Sequence, residues 1–272
     1  RIRLGTAVIL LPLANPVRVA EEVATLDLVS GGRVEFGIGR GTFPNVHEGF
    51  NSPFSESRGR FEESLEIILK AWTSQTFSFE GEYYNLKDLE VTPKPYQKPH
   101  PPMIRACSGL ESTLEMARDG RPFMMNVQSD DVTVERMEQY RATMSEAGHS
   151  DETVARNVAD SWVWRNIFVA ETDAEAEAVG IPYFKGMRAY LQKNRNRMNT
   201  TAELEAQSSV AVGAARNSLE HGIIVGSPET VCERLETVNG TGVGGVIIHF
   251  RLGAMPYDVA ANSLKLFAEK VA

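Results

Sequence analysis

RLGTAVILLPLANPVRVAEEVATLDLVSGGRVEFGIGRG, residues 3–41, decides the fold. The run from Ile2 to Leu11 is apolar, rich in β-branched residues and ended by Pro12, which is the composition of a strand buried on both faces. Asn15-Pro16 then offers a helix N-cap followed by proline at the first helical position. Val17, Ala20, Val23, Ala24 and Leu28 keep helical spacing, and Ser30-Gly31-Gly32 stops the helix. Val34, Phe36 and Ile38 alternate into a second strand that runs into Gly37-Ile38-Gly39-Arg40-Gly41. Strand, helix and strand in this order predict two parallel strands joined by a right-handed crossover.

Working outward, the alternation continues. Phe61, Leu65, Ile68, Leu69 and Trp72 mark a helix. Phe77 to Leu89 reads as a hairpin turning at Glu80-Gly81-Glu82. Thr92 to Pro102 carries five prolines in eleven residues and reads as an extended connector. Strands are expected at Met103 to Cys107, Phe123 to Val127, within Val158 to Ala170, at Ile223 to Val225 and at Val243 to Phe250. Helices are expected from Leu110, Val132, Asp173, Pro228 and Val259. Six main strands alternating with helices imply an α/β fold with a parallel sheet. The polar stretch Arg188 to Gln207 interrupts the pattern and reads as a solvated helix or a lid.

The chain has 272 residues, 42% hydrophobic and 24% charged, with a net charge of −8. That length suits one large domain, such as an α/β barrel, or two small ones, and the ordinary polarity excludes a fibrous or disordered chain. The acidic balance argues against nucleic acid as the main partner. Two cysteines, Cys107 and Cys232, are too few for a disulfide framework and fit a reducing cytoplasm. No apolar run approaches the roughly 20 residues that span a bilayer.

Ligands of parallel α/β folds sit at the C-terminal ends of the strands, so candidate chemistry is sought there. Gly37 to Gly41 lacks the third glycine of a dinucleotide fingerprint, because Thr42 stands in its place, and it lacks the Lys of a P-loop. Its glycines let backbone approach a ligand, and Arg40 offers a forked cation suited to phosphate. Ser108-Gly109-Leu110-Glu111 fits a capping box. The same hydroxyl-rich helix start could cradle an anion through Ser108, Ser112 and Thr113. Ser227 is a weaker candidate of the same kind. His47, His100, His149, His221 and His249 show no metal spacing, and no nucleophile elbow or zincin motif is present. His249 ends a strand and could face a pocket or be structural.

Taken together, residues 3–41, "FEGEYYNLKDLEVTPKPYQKPHPP", "WRNIFVAETDAEAEA", "GSPETVCERL" and the final "SLKLFAEKVA" resemble the bacterial-luciferase-like flavin-dependent monooxygenases. The resemblance covers nearly the whole chain. It implies a (β/α)8 TIM-barrel fold, read here as a single domain over residues 1–272 that lacks the first two βα units. The family's catalytic-site histidine belongs to that preceding segment, so no catalytic residue is assigned.

The resemblance also implies reduced FMN and O2 as reactants, a small organic substrate, a separate flavin reductase and a homo-oligomer. It places the flavin phosphate on Arg40 and on the Ser108, Ser112 and Thr113 segment. A non-proline cis peptide at Ala7–Val8 is expected under the flavin ring, with Asn126 near it. Arg188 to Gln207 falls where relatives carry a lid. No metal and no membrane contact is expected. Two alternatives stay open: an F420-dependent hydride-transfer enzyme on the same fold, and a non-catalytic flavin-binding protein.

Overall fold

The computed structural model describes residues 2–198 and 215–272, so the C-terminal part of the polar stretch lies outside the described residues. The chain divides into two compact units, one ending at Ala106 and one beginning at Cys107.

In the first unit, the strand expected over Ile2 to Leu11 is two short strands, β1 (Leu4–Gly5) and β2 (Ile9–Leu10). Both pair in parallel with β3 (Val34–Gly39), Leu4 opposite Val34 and Ile9 opposite Ile38. Between them the Ala7–Val8 peptide is cis. The Thr6 hydroxyl bridges this break, donating to the Gly37 carbonyl at 2.7 Å and accepting from the Gly37 N–H at 2.9 Å. Helix α1 (Pro16–Ser30) starts as its sequence dictates. The Asn15 side chain accepts from the N–H groups of Val17 and Arg18, and Gly31 closes the helix at φ 67°.

Helix α2 is the short Pro44–Gly49, and α3 is Ser57–Thr73. Helix α1, β3 and α3 share one core, in which the Trp72 indole N–H donates to the Ala20 carbonyl at 3.0 Å and the Trp72 ring meets Phe36 edge-on at 5.2 Å. The expected hairpin is β4 (Phe77–Glu80) against β5 (Asn85–Leu89). Its turn is held by the Glu63 carboxylate, which accepts from the backbone N–H groups of Glu82, Tyr83 and Tyr84. The proline-rich connector leads into β6 (Met103–Cys107), whose Met103 lies opposite Phe36 in a further parallel pairing.

The second unit is built on β8 (Trp162–Val169). It pairs in parallel with β7 (Phe123–Met125) and β10 (Gly245–His249) along its first part, and with β9 (Ile224–Gly226) at its end. Helices α4 (Leu110–Arg118), α5 (Asp130–Glu146) and α6 (Asp151–Ala159) connect the early strands. Helix α6 is absent from the sequence reading because only Val154 and Val158 mark an apolar face. Helix α7 (Asp173–Met198) follows β8 and carries Pro182 within it. In the closing helix, Tyr257–Lys270, the Ser263 hydroxyl oxygen accepts from the Val169 N–H at 2.8 Å.

Candidate functional site

In the first unit the candidate site is the turn at the end of β3. Gly39 is pressed against the cis peptide: a Cβ there would lie 2.7 Å from Val8 Cγ2. Gly41 adopts φ +84°, and a Cβ on it would lie 2.9 Å from His47 Nε2. Between these glycines Arg40 is exposed, with its guanidinium 5.7 Å from the Phe54 ring centroid. Among the described residues the Arg40 side chain makes no hydrogen bond and no ion pair. It is therefore a cation at a strand end that no carboxylate among the described residues neutralises.

His47 is the residue that sequence reasoning missed here. It is fully buried on α2, its ring edge-on to Phe54 at 5.2 Å. Neither ring nitrogen has a hydrogen-bond partner of good geometry among the described residues. Burial holds its imidazole below the ordinary pKa, and the Arg40 charge acts in the same direction; nearby backbone of Arg40 and Ser52 opposes this in part. The available signal was its place one turn into a helix that begins at Pro44, immediately after the Arg40 turn.

In the second unit the start of α4 departs from the expected capping box. The N-cap is Gly109, with no side-chain cap. The hydroxyls of Ser112 and Thr113 both donate to the Gly109 carbonyl, at 2.9 and 3.1 Å, and Thr113 is fully buried. Ser108 is exposed just before the helix. Cys107 is buried, its thiol donating to the Ser112 carbonyl at 3.4 Å. Asn126 is half-buried immediately after β7. The Ser227 helix start is already occupied: Asp173 accepts from the Ser227 N–H at 2.7 Å, and this holds the carboxyl below its ordinary pKa.

Two further polar arrangements stand on β8. Arg165 is buried and pairs with Asp130 at 3.2 Å, with Arg234 at 3.7 Å from the other Asp130 oxygen. On the neighbouring position, Asn166 donates to the Gly222 carbonyl at 2.6 Å and faces His249 Nδ1 at 3.1 Å. No cluster of three or more metal-ligating side chains exists among the described residues, and no described helix is long and apolar enough to cross a membrane.

The family model for luciferase-like monooxygenases matches residues 1–244, and the chain belongs to that family. It is 29% identical to the FMNH(2)-dependent dimethylsulfone monooxygenase of Pseudomonas putida over 60% of this chain and 43% of that one. The stretch shared with the uncharacterized protein y4wF of Sinorhizobium fredii is 38% identical and covers 44% of this chain and 35% of that one. Among solved structures, the monooxygenase RslO1 of Streptomyces bottropensis superposes with a TM-score of 0.78 at 26% identity, over 100% of this chain and 78% of that one. The F420-dependent tetrahydromethanopterin reductase of Methanopyrus kandleri gives 0.73 at 19% identity, over 100% and 82%. The fold is thus the α/β barrel type expected from the sequence.

Proposed function

We propose that the chain is a flavin-dependent monooxygenase that uses reduced FMN and O2 to oxidise a small organic substrate. The observation that carries this reading is Arg40. An exposed guanidinium with no counter-ion among the described residues, set between two glycines at the end of a parallel strand and beside the Ala7–Val8 peptide, suits a phosphate group. A phosphate supplies the two charge-assisted acceptors that the fork lacks.

In this reading Arg40 binds the phosphate, and Ala7 and Val8 support the flavin ring. Ser108, whose hydroxyl is exposed at a helix start, and Asn126 are the further cofactor-binding residues that the family resemblance implies. Ser112 and Thr113 remain candidates only through rotation of hydroxyls now bonded to the Gly109 carbonyl. Bound reduced FMN supplies the oxygen chemistry; the chain's own residues bind its phosphate, orient its ring and keep water from it. A separate flavin reductase supplies the reduced cofactor, since the sequence carries no nicotinamide fingerprint. We place the protein in the cytoplasm as a homo-oligomer of one barrel domain.

Titration with FMN tests this. Arg40→Ala is expected to weaken binding at least tenfold, and Arg40→Lys less. Equal affinity in wild type and Arg40→Ala removes Arg40 from the site and the reading with it. The likeness to an F420-dependent reductase supports a second reading, hydride transfer with F420. Tighter binding of F420 than of FMN favours it. Failure of the FMN-loaded, reduced protein to consume oxygen favours a non-catalytic flavin-binding protein.

A further inference from the structure

The proposed cofactor residues leave unused the arrangement around Asn166 and His249. The two are register partners on adjacent parallel strands. Val163, Ile167 and Val169 of β8, with Val246, Ile248 and Phe250, pack into the helix-side core. Alternation along the strands therefore puts Trp164, Asn166, Ile247 and His249 on the opposite face. His249 is the last residue of β10, at the end where parallel α/β folds take their ligands.

The hydrogen bonds around Asn166 determine the tautomer of His249. The Gly222 carbonyl has no proton to give, so the end of the Asn166 amide that meets it at 2.6 Å is the NH2. The other end, facing His249 Nδ1 at 3.1 Å, is then the carbonyl oxygen, which only accepts. Nδ1 must carry the proton, and the neutral ring keeps a lone pair on Nε2. Among the described residues Nε2 has no hydrogen-bond partner, and His249 is half-buried. Burial pushes this imidazole below its ordinary pKa, so it is neutral at pH 8. The Trp164 ring lies 5.7 Å from it, half-buried on the same face.

We propose that His249 contacts the substrate as a fixed hydrogen-bond acceptor, so that this face selects uncharged molecules carrying an O–H or N–H donor over anions. Asn166 is its positioning residue, and Trp164 lends an apolar wall beside the acceptor. A hydroxyl satisfies the Nε2 lone pair, whereas a carboxylate or sulfonate oxygen would meet it lone pair to lone pair. The inference names a substrate class for the monooxygenase reading and rests on it for the presence of a substrate on this face.

Calorimetric titration at pH 8 with 1-hexanol and hexanoate, probes that differ only in the head group, tests it. Wild type is expected to bind hexanol at least tenfold more tightly than hexanoate. His249→Phe is expected to lose about five- to tenfold in hexanol affinity, the worth of one neutral hydrogen bond. His249→Gln, which can still offer an amide oxygen, keeps part of it and covers the case in which the phenylalanine variant fails to fold. In nitrogen-15 spectra, wild type shows a protonated Nδ1 and a bare Nε2, and Asn166→Leu loses that fixed pattern. Hexanoate binding as tightly as hexanol, no binding of either, or unchanged hexanol affinity in both His249 variants overturns the proposal. An FMN titration run alongside separates the readings: wild type that binds hexanol selectively but not FMN sinks the monooxygenase assignment and leaves the acceptor standing.

Discussion

Asp27, fully buried in the last turn of α1, accepts two hydrogen bonds from one residue of the proline-rich connector: the Gln97 backbone N–H at 2.8 Å and its Nε2 at 2.8 Å. Gln97 Nε2 also donates to the Val34 carbonyl at 2.8 Å. Gln97, held by the Asp27 carboxylate, thus ties helix, connector and β3 together. Asp27→Ala leaves two donors facing an apolar hole. We expect a loss of about 2–3 kcal/mol, read as a shift in the denaturant midpoint without a change in slope. An unchanged midpoint would show that water replaces the carboxylate at no cost.

A second prediction concerns Gly39 and Val8. A Cβ on Gly39 would lie 2.7 Å from Val8 Cγ2, closer than packed carbons tolerate. Gly39→Ala is expected to cost about 1–3 kcal/mol of stability. Val8→Ala removes the clashing methyl groups, so the double variant should recover part of that loss. Strict additivity in a double-mutant cycle would show that the two residues do not press on one another.

The pair Arg165 and Asp130 yields a third. Burial pushes the Arg165 guanidinium below its ordinary pKa, and the Asp130 carboxylate opposes this at 3.2 Å. Asp130→Ala leaves a buried cation whose ion-pair partner is gone, and we expect a loss of about 3 kcal/mol. Arg165→Met combined with Asp130→Ala should be milder than Asp130→Ala alone. Thermal unfolding of the three variants checks the order.

His47 gives the pH dependence. Its folded-state pKa is lowered by burial, so below the ordinary histidine range the unfolded chain binds a proton that the folded chain refuses. Stability from this group is therefore full above about pH 6.5 and falls as pH drops toward the folded-state pKa. Denaturant midpoints at pH 7.5 and 5.5 should show a smaller acid loss in His47→Phe than in wild type. The same loss in both would place the acid sensitivity elsewhere, His249 being the other histidine held low by burial.

Much of the fold can be read in single residues. Asn15, Pro16 and Gly31 bound α1 because a cap, a fixed φ and a left-handed residue act within a few positions of themselves. The cis peptide at Ala7–Val8 was anticipated only through family resemblance, since nothing in Ala-Val as a dipeptide requires it. The capping box at Ser108 failed because the local rule names a side chain, while the helix started one residue later at Gly109. Thr113 looked available as a hydroxyl, yet tertiary packing buried it.

From its residues alone the chain determined its alternating strands and helices, its acidic balance and the phosphate-suited cation at position 40, because these depend on periodicity, capping and charge over a few neighbours. Only the tertiary structure decided which polar groups are left without partners. That Arg40 has no carboxylate beside it and His47 no side-chain hydrogen bond among the described residues, and that Asn166 locks the His249 ring, all depend on residues far apart in sequence. Such pairings follow from how strands register and helices pack, and short-range sequence pattern carries no record of them.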